Sequence, residues 1–82
     1  VRWYVYRLDG SNIWGFCLYA QAVREAQDII GTQRRPKRLG REFYEISARR
    51  DDRPAHYYIG TRDAYERQGF DGVLPMIDGI VA

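Results

Sequence analysis

The chain has 82 residues, 45% of them hydrophobic, 15% aromatic and 29% charged, with a formal net charge of +2. That length fits a single domain, and the high aromatic content, scarce proline and absence of low-complexity runs exclude fibrous, collagenous and disordered classes. A domain this small buries only about 60 to 65% of the surface its unfolded chain exposes, so its two Trp, seven Tyr and three Phe must supply much of the core.

Trp3-Tyr4-Val5-Tyr6-Arg7-Leu8 is aromatic and β-branched, the turn-forming set Asp9-Gly10-Ser11-Asn12 follows, and Ile13 to Tyr19 resumes the same character. This pattern predicts a β-hairpin whose strands are apolar on both faces, so that each face needs a cover. Ala22, Val23, Ala26, Ile29 and Ile30 then recur at helical spacing, with Gly31 at the C-cap position, predicting a helix over roughly 20–30. Alternation along the second strand and the helical stripe together predict a core of Trp14, Phe16 and Leu18 against Val23, Ala26 and Ile30.

The second half repeats the order. Phe43 to Ala48 and His56 to Ile59 read as strands around a polar turn, Arg50-Asp51-Asp52-Arg53-Pro54, and Thr61 caps a short helix that carries Asp63 in its first turn and Arg67 in its last, with Gly69 beyond it. Residues 1–31 and 42–70 thus form a possible ββα pseudo-repeat joined by a basic linker, 32–41. Val73, Leu74, Met76, Ile77, Ile80 and Val81 make a final apolar stripe, read as a short third helix that completes the core or, through Val73, Met76, Ile77 and Ile80, meets a protein partner or a second copy. The expected architecture is α+β in one domain, 1–82: an antiparallel four-stranded sheet from two β-hairpins, in ββαββα order, with a short C-terminal helix.

The charge is concentrated. Residues 32–41 hold Arg34, Arg35, Lys37, Arg38 and Arg41 with no acidic residue, while the rest of the chain is net acidic. Phosphate backbones attract such clusters through counterion release, and Arg49, Arg50, Arg53, His56 and Tyr57 extend the set with further charge and stacking faces. Twelve of the thirteen basic residues are Arg, whose planar fork suits phosphate better than the Lys ammonium does. The alternative is a solvated loop whose charges pair with Glu42, Glu45, Asp51 and Asp52.

Two resemblances attach to the second half. Phe43-Tyr44-Glu45-Ile46 through Tyr57-Tyr58-Ile59-Gly60-Thr61, followed by a helix with Ala64 and Tyr65, resembles the three-stranded sheet and helix of integrase arm-binding DNA domains, which implies DNA contact by Arg49, Arg50, Arg53 and Tyr57. Tyr44-Glu45-Ile46, Tyr58-Ile59-Gly60 and Arg67 are similar to motifs of GIY-YIG nucleases, but that family needs a later metal-binding Glu and no Glu follows Glu66 here.

Other chemistry finds little footing. The lone Cys17 and lone His56 can form neither an internal disulfide nor a zinc set. Cys17 reads as a small core residue of an apolar strand and His56 as a sheet-surface donor. Asp51-Asp52 reads as turn and charge compensation rather than a metal cradle. No catalytic or metal-binding residue and no cofactor is assigned, and a non-enzymatic protein is favoured. Absence of a long apolar run and of a signal-like start at Val1 to Arg7 sets the expectation of a cytoplasmic protein without membrane contact. The leading functional expectation is a small accessory or regulatory domain binding DNA or RNA through the Arg-rich loop and the sheet-surface Arg and Tyr. The alternative is a protein interaction module, or a small inhibitor or regulator, with no nucleic-acid contact.

Overall fold

The computed structural model describes residues 1–7, 13–50, 53–70, 72–77 and 79–80, with backbone only at 49–50, 53–55 and 80. The elements in chain order are β1 (Trp3–Arg7), β2 (Trp14–Phe16), α1 (Tyr19–Ile30), β3 (Lys37–Gly40), β4 (Phe43–Arg50), β5 (Arg53–Gly60), α2 (Arg62–Arg67) and β6 (Gly79–Ile80). The strands form one antiparallel sheet in the order β3-β4-β5-β1-β2-β6. The α+β class agrees with the sequence pattern.

The two hairpins are joined by pairing β1 with β5, Val5 opposite Ile59 and Tyr6 opposite Tyr58. Because neighbouring strand residues point to opposite faces, this ladder sends Val5 and Ile59 one way and Tyr6 and Tyr58 the other. On the first face Val5, Ile46 and Ile59 bury against Ala22, Ala26 and Ile30 of α1, flanked by Trp3, Trp14, Phe16, Tyr44 and Tyr57. On the second, Tyr4, Tyr6, Ile13 and Phe43 bury against Ala64 and Tyr65 of α2, with Tyr58, Phe70 and Leu74 packed alongside. The apolar character of both strand faces thus has a simple cause, a helix on each side of the sheet.

Local chemistry explains where α1 stops and starts. Its buried residues Ala22, Ala26 and Ile30 lie four apart on one line, Gly31 takes the left-handed conformation at φ 68°, and the Thr32 N–H donates to the Gln27 carbonyl at 3.0 Å, closing the helix as a glycine C-cap does. At the N-terminus the Gln21 side chain accepts from the Leu18 N–H at 3.2 Å. In α2 the Thr61 hydroxyl accepts from the Ala64 N–H at 3.4 Å, the N-cap role read from the sequence.

Several expectations are corrected. Four strands become five, plus the two-residue β6, because Lys37–Gly40, expected in a linker, pairs with β4 as an edge strand. Its residues carry no β-strand signature, and pairing to a neighbour decides their conformation. The expected turn over 50–54 is shorter, since Arg50 pairs with Arg53 and Arg49 with Pro54 inside the ladder; Asp51-Asp52 and the Asp9–Asn12 turn lie outside the described residues.

The C-terminal helix is replaced by an irregular segment over 72–77, bent at Met76 and Ile77, and by β6. A helix of that length, with Gly79 in its interior, is marginal on its own, whereas β2 offers ladder partners to Gly79 and Ile80. The Tyr4 hydroxyl also donates to the Pro75 carbonyl at 3.4 Å. Leu74 joins the second cluster, while Val73, Met76 and Ile77 stay exposed. Leu18, expected in the core, is 60% exposed because β2 ends at Phe16 and Leu18 becomes the residue that enters α1. For the same reason Cys17 is exposed.

Burial makes two stability predictions. Ile59 is wholly buried and Leu18 is not, so Ile59→Ala should destabilise by about 2–5 kcal/mol while Leu18→Ala changes stability by less than about 0.5 kcal/mol, as chemical denaturation will measure.

The second concerns Tyr6, whose ring packs edge-on to Tyr65 at 4.9 Å and to Phe70 at 5.3 Å while its buried hydroxyl has no hydrogen-bond partner among the described residues. Tyr6→Phe should therefore match the parent or exceed it by up to about 1 kcal/mol at neutral pH. Burial, reinforced by Tyr65 and Tyr58, raises this phenol above its ordinary value of 10.0. The unfolded chain then releases the proton first, so stability is lost as pH climbs past about 10. Tyr6→Phe should lose less stability between pH 9 and 11, roughly one unit either side of that value, read as a smaller drop in thermal midpoint.

Candidate functional site

The basic side chains of 34–41 are carried by the stretch from the end of α1 to the outer edge of the sheet. Arg34 is fixed at its backbone: its N–H donates to Thr32 Oγ1 at 3.2 Å and its carbonyl accepts from Gln27 Nε2 at 3.0 Å. Arg34 and Arg35 are exposed. On β3, Lys37 stands opposite Glu45 and Arg38 opposite Tyr44, and the register slips between Arg38 and Gly40. Arg38 Nε donates to the Gly40 carbonyl across this irregularity at 3.2 Å. Lys37, Arg38 and Leu39 are all exposed.

Arg41 and Glu42 make the tight turn into β4, with Glu42 at φ 51°. A positive φ is strained for a residue with a side chain, and three contacts hold it. Arg67 donates to the Arg41 carbonyl at 2.7 Å, Arg2 reaches Glu42 Oε2 at 2.7 Å, and the Thr61 N–H donates to the Glu42 carbonyl at 3.3 Å. Arg2 and Arg67, basic like the others, are thus fasteners of a turn. The side chain of Arg41 itself stays exposed.

The carboxylates near the cluster are engaged elsewhere. Glu42 pairs with Arg2, and Glu45 Oε2 lies 3.1 Å from His56 Nε2, close enough for an ion pair but off the line of a hydrogen bond. None of Arg34, Arg35, Lys37, Arg38 and Arg41 pairs with a described carboxylate. The pairing with Glu42 and Glu45 that would have neutralised them is not made, and Asp51 and Asp52 lie outside the described residues.

Arg49, Arg50 and Arg53 occupy the far end of the β4–β5 ladder. The last partner of β5 on its other side is Arg7, opposite Tyr57, and the first partner of β4 on its outer side is Lys37, opposite Glu45. From Ser47–His56 to Arg50–Arg53 the ladder runs on as a two-stranded arm. Phe43, just past the Arg41-Glu42 turn, and Arg50 are the two ends of β4, roughly 23 Å apart along the strand, so a ligand touching both Arg41 and Arg50 is a polymer or a large surface.

Tyr57, expected as an open stacking face, lies on the α1 side, half-buried, with its ring 6.2 Å from Trp14. One residue escaped the sequence reading: Arg7, exposed and opposite Tyr57, is brought to the base of the arm by the pairing of β1 with β5. Its only sequence signal is a charge at the end of an aromatic strand. Among the described residues no group of three or more His, Cys, Asp or Glu is placed to hold a metal, and no helix is long and apolar enough to cross a membrane.

No protein-family model, curated protein or solved structure matches the chain.

The different duties of the arginines can be separated by experiment. Arg67→Ala should destabilise the fold by about 0.5–1.5 kcal/mol through loss of a charged donor to the 41–42 turn. Arg35→Ala, at an exposed side chain without a described carboxylate partner, should stay within about 0.5 kcal/mol of the parent, as chemical denaturation of both variants will measure.

Proposed function

We propose that this protein is a small nucleic-acid-binding domain, accessory or regulatory in role, that grips phosphates with the Arg34–Arg41 stretch and extends its footprint through Arg49, Arg50 and Arg53 on the β4–β5 arm. The observation that carries the reading is the set of five exposed cations, Arg34, Arg35, Lys37, Arg38 and Arg41, without a described carboxylate partner. Guanidinium groups presented this way can fork onto phosphate oxygens, and each contact releases condensed counterions. Arg7, exposed and opposite Tyr57, adds a cation at the base of the arm.

A second reading is favoured by a different surface. Val73, Met76 and Ile77 are 76%, 84% and 78% exposed, three large apolar side chains within five residues of sequence, of the kind a protein partner covers. An interaction module or small inhibitor using that surface would bind with little salt dependence.

The two readings part on one measurement. Replacing Arg34, Arg35 and Arg38 together with Ala should weaken binding to mixed-sequence nucleic acid and flatten the slope of log K against log salt by about 2–3 units, near 0.9 for each lost phosphate contact. Circular dichroism should stay unchanged, because exposed substitutions away from caps and core cost less than about 0.5 kcal/mol each. If the parent binds no nucleic acid even near 50 mM salt, where such contacts are strongest, the proposal fails and the apolar surface becomes the lead.

A further inference from the structure

Building on the phosphate-binding reading, we infer that the ligand is a B-form duplex, and that the β3 edge enters its major groove with Lys37 and Arg38 reaching phosphates on opposite strands. Register is the first reason. Lys37 faces Glu45 and Arg38 faces Tyr44 across the ladder. Tyr44 belongs to the α1 side, and Glu45, on the opposite face, touches His56, whose ring lies 5.3 Å from Tyr58 on the α2 side. The two cations therefore project from opposite faces of one edge. A single strand lying along that edge presents its phosphates to one side or the other, whereas a groove has a phosphate row on each wall.

Access is the second reason. Neither hydrophobic cluster contains a residue of β3, so the helices sit over the middle of the sheet and the edge stands clear of both layers. An unlayered strand with its side chains is about 10 Å across, and the B-form major groove is about 12 Å wide. Beyond Lys37 the ladder continues as the two-stranded arm, from Ser47 opposite His56 to Arg50 opposite Arg53. A two-stranded β-ribbon is an element this groove admits.

The aromatic rings supply the third. Proteins that hold single strands stack bases on open rings. Here the half-buried rings are turned toward one another, Trp3 to Tyr19 at 4.9 Å, Tyr19 to Tyr44 at 5.0 Å and Trp14 to Tyr57 at 6.2 Å, which leaves their faces poorly placed to take a base. A-form RNA is disfavoured by its deep, narrow major groove, which side chains do not read.

Fluorescence anisotropy at low salt with a DNA duplex of about 16 base pairs, the same strand alone and the matching RNA duplex tests this. The DNA duplex should bind about tenfold more tightly than either of the others. Methylphosphonate substitution, scanned along both strands, should weaken binding at positions on either wall of one groove. Lys37→Ala should abolish the effect on one strand and Arg38→Ala on the other. Equal or tighter binding of the single strand or the RNA duplex would overturn the duplex inference while leaving phosphate binding intact. So would interference confined to one strand, or loss on the same strand in both variants. Failure of all three nucleic acids to bind would overturn both.

Discussion

The pairing of β1 with β5 is the contact on which the rest of this small structure depends. A two-stranded hairpin is marginal in water by itself, and the chain contains two, β1–β2 and β4–β5. Joining them places Val5 against Ile59 and Tyr6 against Tyr58 in one register, and that register decides which side chains meet α1 and which meet α2. A slip of one residue would exchange the two faces, sending the large Tyr rings toward Ala22 and Ala26 and the small aliphatic groups toward Tyr65. The two covers differ in kind, alanines over aliphatic strands on one side and rings on rings on the other, so they select the observed alignment.

The same sheet builds the candidate site by leaving one margin uncovered. Helices lie over the central strands, and the outer edge is given to Lys37–Gly40. Lysine, arginine and a break in register are devices that stop an edge strand from recruiting another strand, and here they also concentrate cations where solvent and ligand can reach them. Solubility and phosphate binding ask for the same residues at this margin. Among the described residues Glu42 is held by Arg2 and Glu45 contacts His56, and neither makes an ion pair with the cluster.

The arginines fall into different roles that composition cannot distinguish. Arg2 and Arg67 fasten the strained turn at Glu42, Arg62 pairs along its own helix with Glu66 at 3.4 Å, and the Arg34–Arg41 group faces outward. Charge counted over a window locates a basic run at 32–41 in the sequence, and the exposure of its side chains follows from their polarity. Its conformation does not: whether Lys37–Gly40 are loop or strand rests on their pairing with β4 across the Arg41-Glu42 turn.

Residues in local contact wrote their structure into the sequence. The spacing of Ala22, Ala26 and Ile30, the Gly31 stop, the Thr61 cap and the two aromatic hairpins were legible because helix periodicity, capping and strand alternation act within a few residues. Apolar character on both faces of the strands likewise announced two covers. The β3 edge, the exposed Leu18, the strand at Gly79–Ile80 in place of a helix, and the approach of Arg7 to Tyr57 were settled only by the tertiary structure. For Arg7 and the C-terminus the backbone answers to a partner distant in sequence, β5 and β2; for Lys37–Gly40 and Leu18 the deciding neighbour is close, β4 across a two-residue turn and the end of β2, but no strand or turn pattern in those residues marks it. Local propensities there are weak or divided, so the free energy of pairing and burial outweighs them.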